Sequence, residues 1–307
     1  PRDVDPQAVT KVGIIGAGLM ASQLALLFAQ RLAVPVHLVD LDDARVSQGL
    51  ASVMTEIDER EQKRRVTRDG ANRLRGLVTG GADLADLADA DFVIEAVFED
   101  LSVKRAVLAA AERVVPSECI LATNTSSLSV TEIAARTRRS DRVIGLHFLQ
   151  PVPQVPLVEV VRGLGTSDAT FRQAMDFVRL LGKTGVEVFE YPGYVTTRVI
   201  LPFLNEAMHV VMEGVATPEA VDTSMRLGYG LQVGPLALAD RIGLDEVNRW
   251  MQYLFEELGD LKYRPCPLLR KMIRAGHIGV KGGRGFFEYD EDGKRYEATA
   301  DDAAYAT

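Results

Sequence analysis

The chain has 307 residues, of which 47% are hydrophobic and 25% charged, a composition typical of a globular protein long enough for two domains. Its formal net charge of −8 argues against general binding to nucleic acids or anionic membranes. No apolar run approaches the roughly 18 residues that a membrane span needs, no signal peptide precedes the first strand, and the two cysteines show neither metal-ligand nor disulfide spacing. We therefore expect a cytoplasmic protein without a metal site, a membrane anchor or a nucleic-acid partner.

Strands and helices alternate over the first part of the chain. Short apolar segments predict strands at residues 11–15, 36–40, 91–96, 120–124, 143–148 and 186–190. Helical patterns follow the first strand and recur around residues 99–115 and 129–137, whereas the charged segment 43–75 predicts a helical hairpin standing out from the sheet. The alternation favours an α/β fold with a Rossmann-like, doubly wound and mainly parallel sheet covered by helices on both faces.

The pattern becomes mostly helical from Arg198 onward, with glycine and proline separating the apolar segments. We therefore predict two domains, a Rossmann-like domain at 1–192 and an all-helical domain at 193–307. The second domain carries more apolar residues than its few helices could bury alone, as in ILPFLNEAMHVVM and LFEELGDL. This excess predicts a homodimer formed by the helical domain.

The first strand is followed by GAGLMA, a segment that fits G-x-G-x-x-[GA] between a strand and a helix. Gly16 permits a tight turn there, and Gly18 leaves room for a pyrophosphate at the helix N-terminus. Asp40, at the end of the second strand, lies where a carboxylate would bond the ribose hydroxyls and repel a 2′-phosphate. A tight turn without a ligand would show the same glycines, but together with Asp40 they predict an NAD site. Its predicted contact residues are Gly16, Gly18, Leu19, Met20 and Asp40.

The segment TNTSSLSVTE follows a later strand and opens a helix. Ser129 and Glu132 form an S-x-x-E capping box, so the polar residues before them are not needed as helix caps. These residues are Asn124, Ser126 and Ser127. They lie at the carboxyl edge of the predicted sheet, where open α/β sheets bind ligands. The alternative is a polar loop that satisfies only its own backbone.

His147 differs from the other histidines because it ends a strand at the same sheet edge as Ser126. Glu159 lies on the following strand, which could return alongside after a proline-rich turn. A carboxylate bonded to one ring nitrogen fixes the tautomer, leaves the other nitrogen free as a base and stabilises the imidazolium. The pair therefore predicts removal of a hydroxyl proton while hydride leaves the same carbon. A buried structural pair is the alternative.

Taken together, the motifs resemble the L-3-hydroxyacyl-CoA dehydrogenase family, both its free-standing members and the dehydrogenase portion of multifunctional β-oxidation proteins. The resemblance runs from about residue 11 to residue 289 with the spacing kept. It rests on GAGLMA, VIEAVFEDLSVK, NTSSL, GLHF with PVP and PLVEVV, PGYVTTRVILPFLNEA, VGPLALAD and GGRGFFEY. It implies NAD-dependent oxidation of an L-3-hydroxyacyl-CoA thioester to the 3-ketoacyl thioester, and a helical second domain that dimerises.

The resemblance also implies roles for single residues. His147 matches the acid/base, Glu159 its partner and Ser126 the residue that contacts the substrate hydroxyl. Three further positions match cofactor-contacting residues of the family: Glu99, Lys104 and Lys281. Asn124, at the sheet edge, is assigned to the cofactor as well.

Two positions depart from the family pattern. Gln150 stands where the family usually has Asn, or Ser in some multifunctional members, and Thr197 stands where Asn usually precedes the arginine. Both are predicted to bind substrate, together with Ser126. Two alternatives stay open: a dehydrogenase of this family acting on an acyl-carrier-protein thioester, and an NAD-binding structural or sensory relative without activity. The intact set of His147, Glu159 and Ser126 favours an active enzyme.

Overall fold

The computed structural model describes residues 9–296, which form two compact units that divide between Tyr194 and Val195. The division of the sequence into domains at 1–192 and 193–307 stays a prediction, because both chain termini lie outside the described residues. Each unit has its own hydrophobic core.

The first unit is built on one sheet of eight strands. In chain order these are β1 (Val12–Ile15), β2 (Val36–Val39), β3 (Val78–Gly81), β4 (Phe92–Glu95), β5 (Ile120–Thr123), β6 (Val143–Phe148), β7 (Leu157–Arg162) and β8 (Thr184–Phe189). Their order across the sheet is β3-β2-β1-β4-β5-β6-β7-β8. All neighbours are parallel except β6 and β7, which are antiparallel. The strand order reverses at β1, as in a Rossmann-like sheet, and the predicted fold class is confirmed.

Helices cover both faces of this sheet. They are α1 (Leu19–Leu32), α2 (Asp43–Gln62), α3 (Arg68–Leu77), α4 (Leu101–Ala111), α5 (Val130–Ala134) and α6 (Asp168–Leu180). Buried side chains of α1, α2, α3 and α6 form the core on one face, and those of α4 and α5 the core on the other. Because successive side chains of a strand point to opposite faces, Ile14 and Ile15 belong to different cores.

The predicted hairpin at 43–75 is present, but the expectation that it stands out from the sheet is only partly right. Four of its apolar side chains are buried in the same core as α1, and most residues of its far end, 58–70, are exposed or half-buried. The buried side chains are Val53, Ile57, Ala71 and Leu74. The apolar positions at helical spacing therefore outweigh the charged composition that suggested a free-standing hairpin.

The second unit is helical, as predicted. Its helices are α7 (Thr196–Met212), α8 (Pro218–Tyr229), α9 (Pro235–Ile242), α10 (Leu244–Leu258) and α11 (Pro267–Arg274). Its core includes Leu204 and Met208 of α7, and Met251 and Leu254 of α10. Within residues 9–296, no helix is long and apolar enough to cross a membrane.

Candidate active site

The turn between β1 and α1 has the backbone that a pyrophosphate site requires. Gly16 has a φ of +116°, which favours glycine, and a Cβ there would lie 2.7 Å from the carbonyl oxygen of Ala96. Gly18 is the N-cap of α1 and offers no side-chain hydrogen bond, and a Cβ there would meet no heavy atom within 4 Å. Leu19 and Met20 begin the helix, and its first turn contains no acidic residue. The first N–H groups of α1 are therefore suited to an anionic group.

Asp40 lies directly beyond β2 and reaches this turn. Its Oδ2 atom accepts a hydrogen bond from the backbone N–H of Ala17 at 2.8 Å, and its Oδ1 atom accepts one from Leu41 at 2.7 Å. The Nη1 atom of Arg45 lies 3.8 Å from Oδ1. The carboxylate is thus held beside the glycines by backbone donors.

His147 and Glu159 face each other across the only antiparallel pair of strands in the described sheet. The register of β6 and β7 places the two residues directly opposite one another. The imidazole Nδ1 lies 2.6 Å from Glu159 Oε2, and the two side chains are 5% and 1% exposed. No hydrogen-bond partner of the imidazole Nε2 occurs within residues 9–296. The ring is therefore fixed on one side and left with a free nitrogen on the other.

The Tyr194 ring packs against the same imidazole. The two ring centroids are 5.8 Å apart with an interplanar angle of 55°, and Tyr194 is only 4% exposed. Its hydroxyl donates a hydrogen bond to the carbonyl oxygen of Leu128 at 2.8 Å. Its φ of +50° is rare for a residue with a bulky side chain. Tyr194 is a neighbour of His147 that the sequence motifs did not single out.

The loop after β5 brings the predicted polar residues to the end of β6. Asn124 Oδ1 accepts a hydrogen bond from the backbone N–H of Phe148, one residue beyond His147, at 3.0 Å. The backbone N–H of Ser126 donates to Glu99 Oε1 at 2.9 Å. The Ser126 hydroxyl makes no hydrogen bond to any other described residue, so it is available to a ligand.

The capping box predicted for α5 forms only in part. Ser129 is the N-cap and its Oγ accepts a hydrogen bond from Glu132 N at 3.0 Å. The Glu132 carboxylate, however, pairs with Arg105 at 3.1 Å instead of returning to the backbone of Ser129. The Ser129 hydroxyl donates to Glu190, which also accepts the N–H of Thr131 at 2.9 Å.

A buried cluster of charges lies behind Glu99. Lys104 Nζ lies 3.0 Å from Glu95 Oε2 and 3.3 Å from Glu99 Oε2, and the Lys104 and Glu95 side chains are completely buried. Burial acts to lower the pKa of Lys104, but the two carboxylates outweigh it and hold that pKa above its usual value. Both Glu99 and Lys104 are predicted to contact the cofactor. The Lys104 side chain is completely buried behind Glu99, and of the two only Glu99 is partly exposed.

Glu95 is the member of this cluster that sequence reasoning missed. It is the last residue of β4, a strand that is otherwise apolar. A charged residue within a fully buried strand was the available signal, because buried charges need a partner.

The sequence predicts no metal site, and the positions of the possible ligand side chains bear on this prediction. Between residues 9 and 296, no three or more His, Cys, Asp or Glu side chains are grouped so as to hold a metal ion.

Comparison with known proteins identifies the chain. Residues 11–191 match the family model of the 3-hydroxyacyl-CoA dehydrogenase NAD-binding domain, and residues 193–289 match that of the C-terminal domain. The chain belongs to the 3-hydroxyacyl-CoA dehydrogenase family. The predicted resemblance is therefore confirmed, as are the predictions of an oxidoreductase of this family and of NAD as its cofactor.

Individual relatives agree with the family models over most of their length. The chain is 44% identical to a probable 3-hydroxybutyryl-CoA dehydrogenase of Bacillus subtilis, over 92% of this chain and 98% of the relative. It is 42% identical to a 3-hydroxybutyryl-CoA dehydrogenase of Bradyrhizobium diazoefficiens, over 92% and 96%. Among solved structures, (S)-3-hydroxybutyryl-CoA dehydrogenase from Ralstonia eutropha matches with a TM-score of 0.87 and 41% identity, over 92% of this chain and 100% of that one.

The remaining predicted site residues of this dehydrogenase are distributed over both units. Gln150 belongs to the first unit and lies exposed just after β6. Thr197 and Lys281 belong to the second. Thr197 is buried in the first turn of α7, and Lys281 Nζ lies 2.7 Å from Asp245 Oδ2.

Proposed function

We propose that this dehydrogenase oxidises the 3-hydroxyl group of a short L-3-hydroxyacyl-CoA thioester, such as 3-hydroxybutyryl-CoA, to the 3-ketoacyl-CoA. The observation that carries the proposal is the buried contact of 2.6 Å between His147 Nδ1 and Glu159 Oε2 at the carboxyl end of β6. The names of the relatives, which are 3-hydroxybutyryl-CoA dehydrogenases, support the choice of substrate.

The residues of the first unit fit the NAD cofactor. A side chain at Gly16 would clash with the backbone of Ala96, and a side chain at Gly18 would fill the open space beside the turn. The uncapped N-terminus of α1 suits a pyrophosphate. Asp40 would hold the ribose, and Leu19, Met20, Glu99 and Asn124 would line the dinucleotide, with Lys104 behind Glu99. Lys281 stays a predicted cofactor contact. When bound, NAD supplies the acceptor for the hydride that leaves C3 of the substrate.

His147 takes the hydroxyl proton in this proposal. Glu159 accepts from Nδ1–H, so the tautomer with a lone pair on Nε2 is favoured, and Nε2 receives the proton from the substrate oxygen. As the imidazolium forms, the ionised carboxylate stabilises its charge. In the reverse direction the same nitrogen returns the proton to the carbonyl oxygen. His147 is thus the catalytic acid/base, and Glu159 acts through it.

Ser126 orients the reacting oxygen. Its hydroxyl is not used by any other described residue, while Glu99 holds its backbone N–H at 2.9 Å. The hydroxyl can therefore donate to the substrate oxygen without first breaking an internal hydrogen bond. Gln150 and Thr197 are proposed to contact the acyl thioester, since each offers a hydrogen-bond donor of different reach from asparagine.

The test follows NADH absorbance with acetoacetyl-CoA as the substrate of the reverse reaction. We expect NADH to be oxidised, and we expect an acetoacetyl thioester of acyl carrier protein to react more slowly under the same conditions. Preferential turnover of the carrier-protein thioester would assign the chain to the alternative substrate class. Absence of turnover with both thioesters, in a chain that binds NADH, would contradict a dehydrogenase role for the site.

We also propose that the second unit forms a homodimer. It exposes large apolar side chains that a monomer would leave in water. They are Val199, Met212, Val215, Leu227, Tyr229 and Leu261. Light scattering at micromolar concentration should give twice the monomer mass, and a monomer mass would contradict the proposal.

A cytoplasmic location is part of the same proposal. Cys119 and Cys266 are both buried free thiols. Reduced, unpaired cysteines are typical of proteins in a reducing compartment.

A further inference from the structure

We propose that Glu95 is a positioning residue that, through Lys104, fixes Glu99 and leaves a buried net negative charge beside the nicotinamide half of the cofactor. The inference rests on the proposed function, because it takes Glu99 to face the dinucleotide. Its consequence is that the cluster raises the affinity for NAD⁺ relative to the affinity for NADH.

Glu95 is an ionised carboxylate by its hydrogen bonds. Oε1 accepts from the Thr123 hydroxyl and from Lys104 Nζ at 3.1 Å, and Oε2 accepts from Lys104 Nζ at 3.0 Å and from Val97 N at 3.2 Å. Lys104 Nζ and Val97 N can only donate, and Lys104 carries a positive charge, so the ionised carboxylate is the form that these partners stabilise.

Glu99 is ionised for the same reason. Oε1 accepts from the Thr125 hydroxyl and from Ser126 N, and Oε2 faces Lys104 Nζ at 3.3 Å. Two carboxylates therefore share one ammonium group, and the cluster carries a net charge of about −1 in surroundings where water screens it little.

The strand order decides which half of the cofactor this charge faces. A dinucleotide crosses the carboxyl edge of the sheet where the order reverses, between β1 and β4. Asp40, at the end of β2, lies on the side of the adenosine half. Glu95 ends β4 and pairs with Thr123 of β5, so it lies on the opposite side, where the nicotinamide half belongs. The nicotinamide ring is positively charged in NAD⁺ and neutral in NADH, so a negative cluster favours NAD⁺.

Glu95 also controls geometry, because the path from it leads to the serine loop. Lys104 is anchored by both oxygens of Glu95 and then holds Glu99, which holds the N–H of Ser126. This chain of contacts runs from a fully buried residue to the loop whose hydroxyl is proposed to orient the substrate.

The test measures the dissociation constants of NAD⁺ and NADH by isothermal titration calorimetry. Their ratio cancels contacts that both forms make equally and reports the charge. Glu95→Gln reduces the net charge of the cluster to zero, and we expect its NAD⁺ affinity to fall about fivefold relative to NADH. The double variant Glu95→Gln/Lys104→Met keeps one negative charge on Glu99, and its ratio should stay near that of the wild type.

Thr123→Val is the matched control, because it removes a hydrogen bond from Glu95 without changing the charge. It should lower the melting temperature and leave the ratio unchanged. A folded Glu95→Gln variant with the wild-type ratio, or a double variant shifted as far as Glu95→Gln, would overturn the inference. If Glu95→Gln does not fold, Glu99→Gln removes the same charge at a partly exposed position, and an unchanged ratio there would overturn it equally.

The outcome separates this inference from the proposed function. A wild-type chain that binds both cofactors and shows the charge-dependent ratio, yet does not react with acetoacetyl-CoA, would contradict only the proposed function. A chain that turns over acetoacetyl-CoA with a ratio insensitive to Glu95 and Glu99 would contradict only the inference.

Discussion

Glu95 in the first unit and Asp240 in the second are both completely buried carboxylates that hold backbone in place, but their partners differ. Glu95 is paired with the Lys104 ammonium group at 3.0 Å. Asp240 accepts from the N–H groups of Phe286 and Phe287 and from the Tyr289 hydroxyl, at 2.9–3.0 Å, and forms no ion pair within residues 9–296.

The lack of a cation partner affects the pKa of Asp240. Burial raises the pKa of Asp240 to about 6, even though its backbone and hydroxyl donors act in the opposite direction. The turn that it holds is packed so closely that a Cβ on Gly285 would lie 1.9 Å from Asp240 Oδ1. Asp240, held only by neutral dipoles, is a structural clamp that gains a proton as the pH falls through about 6, whereas Glu95 has a cation as its partner and can shape a binding site.

The His147–Glu159 pair gives the largest expected effect, because here the partner of the buried acid is itself the proposed base. His147→Gln should lower kcat by about 10²–10⁴. Glu159→Gln should also lower kcat, because a neutral amide does not stabilise the imidazolium. NADH affinity, measured by fluorescence titration, should barely change in either variant.

Two further measurements separate a catalytic pair from a structural one. Because the two residues act as a unit, the double variant should lose far less activity than the product of the single losses. Asp240→Asn serves as the structural control, because it changes a buried acid outside the dyad, and it should retain kcat per folded molecule. If His147→Gln and Glu159→Gln instead lower the melting temperature and turn over normally, the pair is only a buried polar contact.

Removing the cation from the buried cluster of Glu95, Lys104 and Glu99 should have the next largest effect, on the stability of the fold. Lys104→Met leaves Glu95 buried without its counter-charge, so we expect a loss of about 3–5 kcal/mol in the free energy of unfolding. Urea unfolding followed by far-UV circular dichroism measures it. The charge-matched double variant Glu95→Gln/Lys104→Met should lose less than Lys104→Met alone, and an equal loss would mean that packing rather than charge decides the cost.

The second unit should show the opposite pH dependence to an ordinary surface acid. The folded-state pKa of Asp240 is raised, so its contribution to stability is present below its unfolded pKa and is lost as pH rises through about 6. Relative to Asp240→Asn, the wild type should therefore gain about 1.4 kcal/mol between about pH 7.5 and about pH 5. The single tryptophan, Trp250 on α10, reports unfolding of this unit by fluorescence. A difference between the two chains that does not change with pH would show that Asp240 stays ionised.

Asp40 has an expected effect of the same small size, at a carboxylate that is only partly buried and remains accessible to a ligand. NADH should outperform NADPH by about tenfold in kcat/KM, equivalent to about 1.4 kcal/mol, because the carboxylate repels a 2′-phosphate. Asp40→Ser should narrow this preference. Equal use of both cofactors by the wild type would remove Asp40 from this role.

Several features of the site could be predicted because they depend on local sequence. The glycine-rich turn follows from backbone sterics, and Gly16 indeed has a positive φ. The position of Asp40 beside that turn follows from the alternation of strand and helix. The burial of α2 and α3 is harder to predict, because charged residues dominate their composition although apolar residues recur at helical spacing.

The pairing of charges could not be predicted in the same way. Lys104 lies nine residues beyond Glu95, and Asp240 bonds residues more than forty positions away. Sequence periodicity reports which side chains are buried but not which neighbours they meet, since that depends on strand order and on how loops return. Glu95 and Asp240 therefore look alike in the sequence, as single acids in apolar surroundings.

The α/β alternation and the nucleotide turn follow from the sequence, because each depends on backbone preferences within a few residues. The proline-rich turn after His147 also indicated that Glu159 could return alongside it. That His147 lies directly opposite Glu159 depends on the fold, since it requires β6 and β7 to pair antiparallel in one register within an otherwise parallel sheet. The same holds for the buried cluster, because Glu95, Lys104 and Glu99 meet only when α4 packs behind the carboxyl end of β4. Electrostatic interactions act through space, and the fold sets which charges come within reach of one another.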